Sequence, residues 1–229
     1  MKRSTIDEAI DYVIEKCENE FRVPLPAFAY YTPEDWKKLG EDERELVDNM
    51  LGWDVTDFGG DFKEVGLTSF VFRNGNYKDP ETYPKPYCEK ILYVMDGQTL
   101  PYHYHWLKME DIINRGGGRL AITLYMAAED DSFSDEDVVV TIDGKKVTVP
   151  AGGQVILEPG QSITLCPKQY HSWQALPGEG DVMVFEVSRC NDDFTDNRFY
   201  EVGERIPETE EDVPAKHLCY ADYKDYVTI

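Results

Sequence analysis

Between residues 66 and 190 the chain passes through a succession of short β-rich runs, "LTSFVFR", "KILYVMDG", "RLAITLYMA", "VVVTIDGKKVTV", "SITLCP" and "DVMVFEVS", separated by Gly, Pro, Asn and Asp. β-branched and aromatic residues suit a pleated, half-buried surface, and the punctuating residues suit turns. Asp143-Gly144, between two such runs, is a hairpin signal. Many short strands with no helix between them build a sandwich or a closed barrel, so the expected fold class is all-β.

The N-terminal part reads differently. Thr5-x-x-Glu8 has the form of a capping box, and Ile6, Ala9, Ile10, Val13, Ile14 and Cys17 recur at helical spacing. Thr32-Pro33-Glu34-Asp35 is a second helix start, with proline at the first helical position, and "EDERELVDNML" continues in the same period. No repeat or convincing linker divides the 229 residues. The expected organisation is one domain over 1–229: a helical extension over 1–60, a barrel core over 66–190 and a C-terminal segment over 191–229. "PETEEDVP" within that segment is expected to be an exposed acidic loop.

Asp and Glu number 45 against 23 Lys and Arg, for a formal net charge of −22. Such a field disfavours nucleic acid and anionic membrane as partners, and a phosphorylated ligand would need a local basic pocket that the sequence does not advertise. Small neutral ligands are not repelled. Five scattered cysteines without a C-x-x-C pair suit reduced intracellular thiols, expected here as small buried hydrophobes. Asp7, Glu8 and Asp11 interrupt any signal-peptide core in "MKRSTIDEAIDYVIEK", and no apolar run is long enough to span a bilayer. A cytoplasmic location is expected.

Three of the four histidines fall in two glycine- and proline-framed segments. His103 and His105, one residue apart on an extended strand, project from one face at roughly 7 Å, a spacing that lets two imidazoles converge on one ion. Glu110 follows after four intervening residues and adds an oxygen to two nitrogens, a mixed set suited to Mn, Fe, Co, Ni or Zn. His171, in "PKQYHSW", belongs at the barrel wall. His217, in "AKHLCY", lacks such neighbours and is assigned a structural role.

At these residues the sequence resembles the cupin superfamily. The first cupin motif, G-x5-H-x-H-x(3,4)-E-x6-G, is met by Gly97, His103, His105, Glu110 and Gly117. The second, G-x5-P-x-G-x2-H-x3-N, is met in part: Pro167 and His171 are present, one residue too close, with Gln169 in place of the glycine and Ala175 in place of the asparagine. The resemblance implies a double-stranded β-helix, or jelly-roll barrel, with a divalent metal held by His103, His105, Glu110 and His171. A finer likeness, in "HYHWLKMEDIINRGGG", "QYHSW" and "EVSRCNDDFTDNRFYEVGERI", is to the D-lyxose isomerases. It implies Mn²⁺ as the preferred ion, with Co²⁺, Ni²⁺, Fe²⁺ or Zn²⁺ as substitutes. It further implies D-lyxose to D-xylulose as the main reaction, D-mannose to D-fructose as a weaker one, and a homodimer.

Isomerisation needs a group that moves a proton between C2 and C1 and a group that steadies the enediolate. Lys108 precedes Glu110 by two residues, so an extended segment points both the same way. Glu204 is the base by resemblance. Glu186, on the alternating run "VMVFEVS", either lines the pocket or is a charged edge residue. Asp192, Asp193 and Arg198 are sugar contacts or a polar turn. Glu186, Asp193 and Arg205 are assigned to the substrate, and Lys108 and Glu204 to the chemistry. Two other classes share these features. A cupin dioxygenase uses the same ligands with open positions for O₂. A non-enzymatic sugar-binding cupin has no need of all four ligands and Lys108.

Overall fold

The computed structural model describes residues 1–201 and 205–229. In chain order its strands are β1 (Gly52–Thr56), β2 (Leu67–Arg73), β3 (Tyr87–Val94), β4 (Thr99–Tyr104), β5 (Glu110–Gly117), β6 (Leu120–Met126), β7 (Val138–Ile142), β8 (Lys145–Val149), β9 (Gln154–Leu157), β10 (Ser162–Leu165), β11 (Gln169–Ala175), β12 (Val182–Arg189) and β13 (Arg198–Phe199). They form two antiparallel sheets, ordered β1-β2-β3-β12-β5-β10-β7-β8 and β13-β4-β11-β6-β9. Each of the β-rich runs contains a strand. Asp143 and Gly144 join β7 to β8 with φ of 48° and 79°, the left-handed pair that matches the twist of a two-residue hairpin.

The sheets face each other across an apolar core. Leu67, Leu92 and Ile112 of the first meet Leu100, Ile122 and Leu124 of the second, all buried. This is the expected jelly roll. The two cupin-motif glycines mark places where the backbone admits little else: Gly97 and Gly117 have φ of 76° and 89°, and a Cβ on Gly117 would lie 1.9 Å from the Asp181 carbonyl oxygen. Pairing of β4 with β11 sets His103 opposite His171, while Glu110 opens β5 in the other sheet.

Helix α1 (Arg3–Glu15) lays Ile6, Ile10 and Val13 against Phe70, Ile91 and Met183 on the outer side of the first sheet. It starts two residues before Thr5, so the expected capping box does not form. Asp212 supplies the acceptor instead, taking the Ser4 N–H at 3.0 Å and the Ser4 hydroxyl at 2.7 Å, so a tertiary contact replaces the local one. At α2 (Pro33–Trp36) Thr32 does cap the helix, with Asp35 reciprocating. "EDERELVDNML" yields a 3₁₀ turn and the short α3 (Arg44–Asp48).

The stretch expected as a helical extension also contributes a strand. β1 pairs with β2 along its whole length and is buried throughout, so it shows no polar-apolar alternation to read. At the other end, α4 (Tyr223–Tyr226) packs Tyr223 on Trp36 with ring centroids 4.2 Å apart. All five cysteines are unpaired; Cys17, Cys88 and Cys219 are buried as expected, whereas Cys190 is half-buried and Cys166 exposed.

Candidate metal and substrate site

His103, His105 and His171 come together with one ring nitrogen each, all within 4.8 Å of one another. Their hydrogen bonds decide which nitrogen is available. The Nδ1 atoms lie 3.0 Å from the Pro101 carbonyl, 2.6 Å from the Asp196 carbonyl and 3.0 Å from the Gln169 carbonyl, respectively. A carbonyl only accepts, so each Nδ1 carries the proton and each Nε2 keeps a lone pair. The Nε2 atoms of His103 and His171 are nevertheless 3.0 Å apart, and Nε2 of His105 is buried without a partner.

Lone pairs converging in a buried site repel unless a cation lies among them. Protonation is a poor remedy at His103, where burial, reinforced by His171 and His105, holds the pKa well below the ordinary imidazole value. The donor set therefore fits a metal ion. Glu110 completes it: one carboxylate oxygen lies 3.1 Å from His171 Nε2, without hydrogen-bond geometry, and the other 3.5 Å from His105 Nε2. Burial pushes this carboxyl's pKa up, but the Lys108 ammonium beside it outweighs burial, and the group stays well below the carboxylate range.

Lys108 is 3% exposed, and its ammonium lies 2.9 Å from Glu110 Oε2 and donates to Glu186 Oε1 at 2.9 Å and Asn191 Oδ1 at 3.2 Å. Burial alone would lower its pKa, yet the surrounding carboxylates raise it well above the usual lysine value. Lys90 mirrors it, reaching Glu186 Oε2 at 3.2 Å and Asn191 Oδ1 at 2.9 Å. With Ser188 also donating at 2.7 Å, Glu186 is a buried, saturated carboxylate and not an edge charge.

The cavity beside the histidines has a volume of about 30 Å³. Asp193 and Arg205 line it together with Lys90 and Asn197. The Asp193 carboxylate accepts from Asn191, Tyr220 and Asn197, and Arg205 Nη2 is 2.7 Å from Asp54 and 3.3 Å from Asp193. Burial raises the Asp193 pKa, but Lys90, Arg205 and Lys108 together hold it well below the ordinary value. Arg205 Nη1 is buried with no partner among the described residues. Asp192 takes the turn alternative, accepting the Phe194 and Thr195 N–H groups, and Arg198 reaches toward Asp131 at 3.8 Å. His217 lies elsewhere, with Nε2 3.0 Å from Asp11 and its N–H on Asp7. Glu204 lies outside the described residues.

Several supporting residues escaped sequence reasoning. Asp196 orients His105 through its carbonyl and holds the 106–108 turn by accepting the Leu107 and Lys108 N–H groups, both at 2.9 Å. Phe199 stacks on His103 at 5.3 Å, and Trp173 on His171 at 6.0 Å. A lysine at the head of the apolar run "KILYV" was the visible signal for Lys90, since a buried lysine needs a partner. Nothing local marks Asp196 among the acids of "NDDFTDNRF".

Comparison with known proteins follows the same line. A family model described as D-lyxose isomerase matches residues 1–223. The D-lyxose/D-mannose isomerase of Escherichia coli O157:H7 is 43% identical over 228 residues, covering 99% of this chain and all of that one. The D-lyxose/D-mannose isomerase of Serratia proteamaculans is 42% identical over 224 residues, covering 96% of this chain and 98% of that one. Among solved structures, Geodermatophilus obscurus L-ribose isomerase superposes with a TM-score of 0.58 at 16% identity, over 92% of this chain and 98% of that one. Cellulomonas parahominis L-ribose isomerase gives 0.53 at 15%, over 87% and 92%. At such identities these two speak for the barrel fold, while the family match and the two close relatives speak for descent: the chain belongs to the D-lyxose isomerase family.

Proposed function

We propose that the protein is an aldose–ketose isomerase of free sugars. It converts D-lyxose to D-xylulose and, more weakly, D-mannose to D-fructose, by proton transfer through a cis-enediol. The observation that carries this reading is the buried trio of imidazoles with convergent lone pairs, set beside a carboxylate–ammonium pair in a chain whose relatives are named D-lyxose/D-mannose isomerases.

His103, His105, Glu110 and His171 would hold a divalent ion, for which we propose Mn²⁺; three nitrogens and an oxygen also suit Co²⁺, Ni²⁺, Fe²⁺ and Zn²⁺. When bound, the ion supplies Lewis-acid polarisation that acidifies the hydrogen at C2 of the sugar. Lys108 keeps its proton and offers a fixed positive charge to the negative charge that develops as this hydrogen leaves. It acts as an electrostatic partner and not as the base. Glu186 makes a poor base because Lys90, Lys108 and Ser188 already occupy its carboxylate. That favours Glu204, the base implied by the family likeness. Arg205 contributes its unpartnered Nη1 to a sugar hydroxyl, with Asp193 fixing the guanidinium and Glu186 fixing Lys108. The apolar walls Phe58, Trp173 and Phe199 exclude water from the reacting atoms.

The proposal includes a single domain, a homodimer and a cytoplasmic location. Continuity of the first sheet from β1 to β8 with α1 packed on it supports the first. Tyr87 and Val187, exposed on adjoining strands of that sheet, support the second, and five unpaired thiols the third.

The test is to strip the protein with chelator, add back single divalent ions and measure ketose formed from D-lyxose, D-mannose, D-xylose and D-glucose. D-lyxose and D-mannose should react and the other two should be much slower. Glu204→Gln should lose about 10²-fold or more in kcat while keeping its metal, and product formed in D₂O should carry solvent deuterium. Equal rates on D-lyxose and D-xylose would overturn the reading.

A further inference from the structure

Two buried acceptors at the site lack partners, His105 Nε2 and Glu110 Oε1, and both belong to the ligand set proposed for the metal. Two buried donors also lack partners among the described residues, Arg205 Nη1 and Trp173 Nε1. Donors are not served by a cation; they need an oxygen. Trp173 is 2% exposed and lines the same cavity as His103, Glu110 and Arg205. It follows His171 by two residues on β11, so both side chains project into the barrel. Its ring lies 23° from the plane of His171 at 6.0 Å and 6.5 Å from His103. Packing against the Leu100 side of the core leaves the indole little freedom to turn elsewhere.

An orphaned indole N–H inside a dry wall is costly, and native interiors nearly always supply an acceptor. We propose that Trp173 is a specificity-determining residue whose indole N–H donates to one sugar hydroxyl oxygen beyond C2. The proposal rests on the isomerase reading and deepens it, because it makes the pocket discriminate a full polyhydroxy aldose from a deoxy sugar. Rejection follows from the donor and not from sterics: a sugar lacking that oxygen fits, but strands the N–H again. Sites built around a buried polar group reject analogues in this way more sharply than apolar pockets do.

The experiment uses the Mn²⁺-loaded enzyme with D-lyxose and its 3-, 4- and 5-deoxy analogues. For the wild type, one analogue should lose about 10- to 100-fold in kcat/KM, the range expected when a buried donor is left unpaired. Trp173→Phe keeps the aromatic stack and removes only the donor with its ring. It should raise KM for D-lyxose about 10-fold, a larger change than any in kcat, keep its metal content, and bring the penalty for that same analogue close to one. Calorimetric titration with the alditol of D-lyxose, which binds without reacting, should show the matching loss of affinity. If no analogue is penalised more than about 3-fold by the wild type, the proposal fails whether or not the variant folds. An unchanged penalty in Trp173→Phe also overturns it, since water would then be the partner of the indole. Absence of ketose from every aldose with the wild type would instead count against the isomerase reading.

Discussion

Replacing Lys108 by methionine separates the ammonium that Glu110 meets in the structure from the divalent ion proposed for it. In the protein without metal the ammonium is the only lysine or arginine charge within 4.0 Å of Glu110 among the described residues, at 2.9 Å, and both side chains are 2% exposed. Breaking a buried pair by removing one partner costs about 3–5 kcal/mol, because the remaining charge is stranded. Glu186 is spared, since Lys90 at 3.2 Å and Ser188 at 2.7 Å still serve it, so the cost falls near the lower end. At roughly 2–4 °C per kcal/mol for a domain of this size, the metal-free variant should melt about 6–12 °C below the metal-free wild type. With saturating Mn²⁺ the gap should shrink to half or less, since Glu110 then keeps a cation. Loss of the repulsion between Lys108 and the ion should also leave metal affinity equal or higher. Turnover should fall about 10²-fold or more even when the site is full. Thermal melts and equilibrium dialysis with and without Mn²⁺ check all three. An equal melting gap in both conditions would refute the placement of Lys108 and the metal on one carboxylate.

His103→Ala, His105→Ala and His171→Ala should each lower metal content and abolish turnover by dialysis and ketose assay. His217→Ala should keep its metal and lose only about 1–2 kcal/mol, the worth of its bond to Asp11. Arg3→Met should lower the melting temperature through lost bonds to Glu211 and Asp222, toward the lower end of roughly 3–5 kcal/mol because Glu211 is half exposed, with kcat unchanged. Stripped protein should lose stability as pH falls through 6.5. Folded His103 resists the proton until well below that value while the unfolded chain binds it, so denaturant melts at pH 7.5 and 5.5 should differ in that direction.

How much of this was legible depends on how far each cause lies along the chain. The proposed ligands and the glycines around them could be read because each owes its position to local geometry: His103 and His105 to alternation, Glu110 to the turn that follows, Gly97 and Gly117 to left-handed backbone that other residues resist. His171 arrives by β4–β11 pairing, which the sequence announces only through its strand-like surroundings. The partners that tune these ligands come from afar. Asp196 holds His105 across 91 positions, Lys90 meets Asn191 across 101, and Asp212 replaces the capping box of α1 across 208. No periodicity encodes such distances, and in a chain with 45 acids the useful carboxylate looks like its neighbours.

The same separation explains why the charges of this site read poorly in isolation. Lys90, Lys108 and Arg205 are three buried cations, and Asp54, Glu110, Glu186, Asp193 and Asp196 five buried anions. Glu186, Asp193 and Asp196 have both carboxylate oxygens engaged by cations, amides or hydroxyls of the fold, and Asp54 pairs with Arg205. Glu110 alone pairs one oxygen with Lys108 and leaves the other facing the imidazoles. A divalent ion would offset this surplus of two negative charges, and the negative charge that forms on a neutral sugar as its proton departs would be met by that ion and by Lys108. Under the proposed function an uncharged carbohydrate suits this balance better than a phosphorylated sugar, whose charge would meet Lys90, Lys108 and Arg205 already paired within the protein.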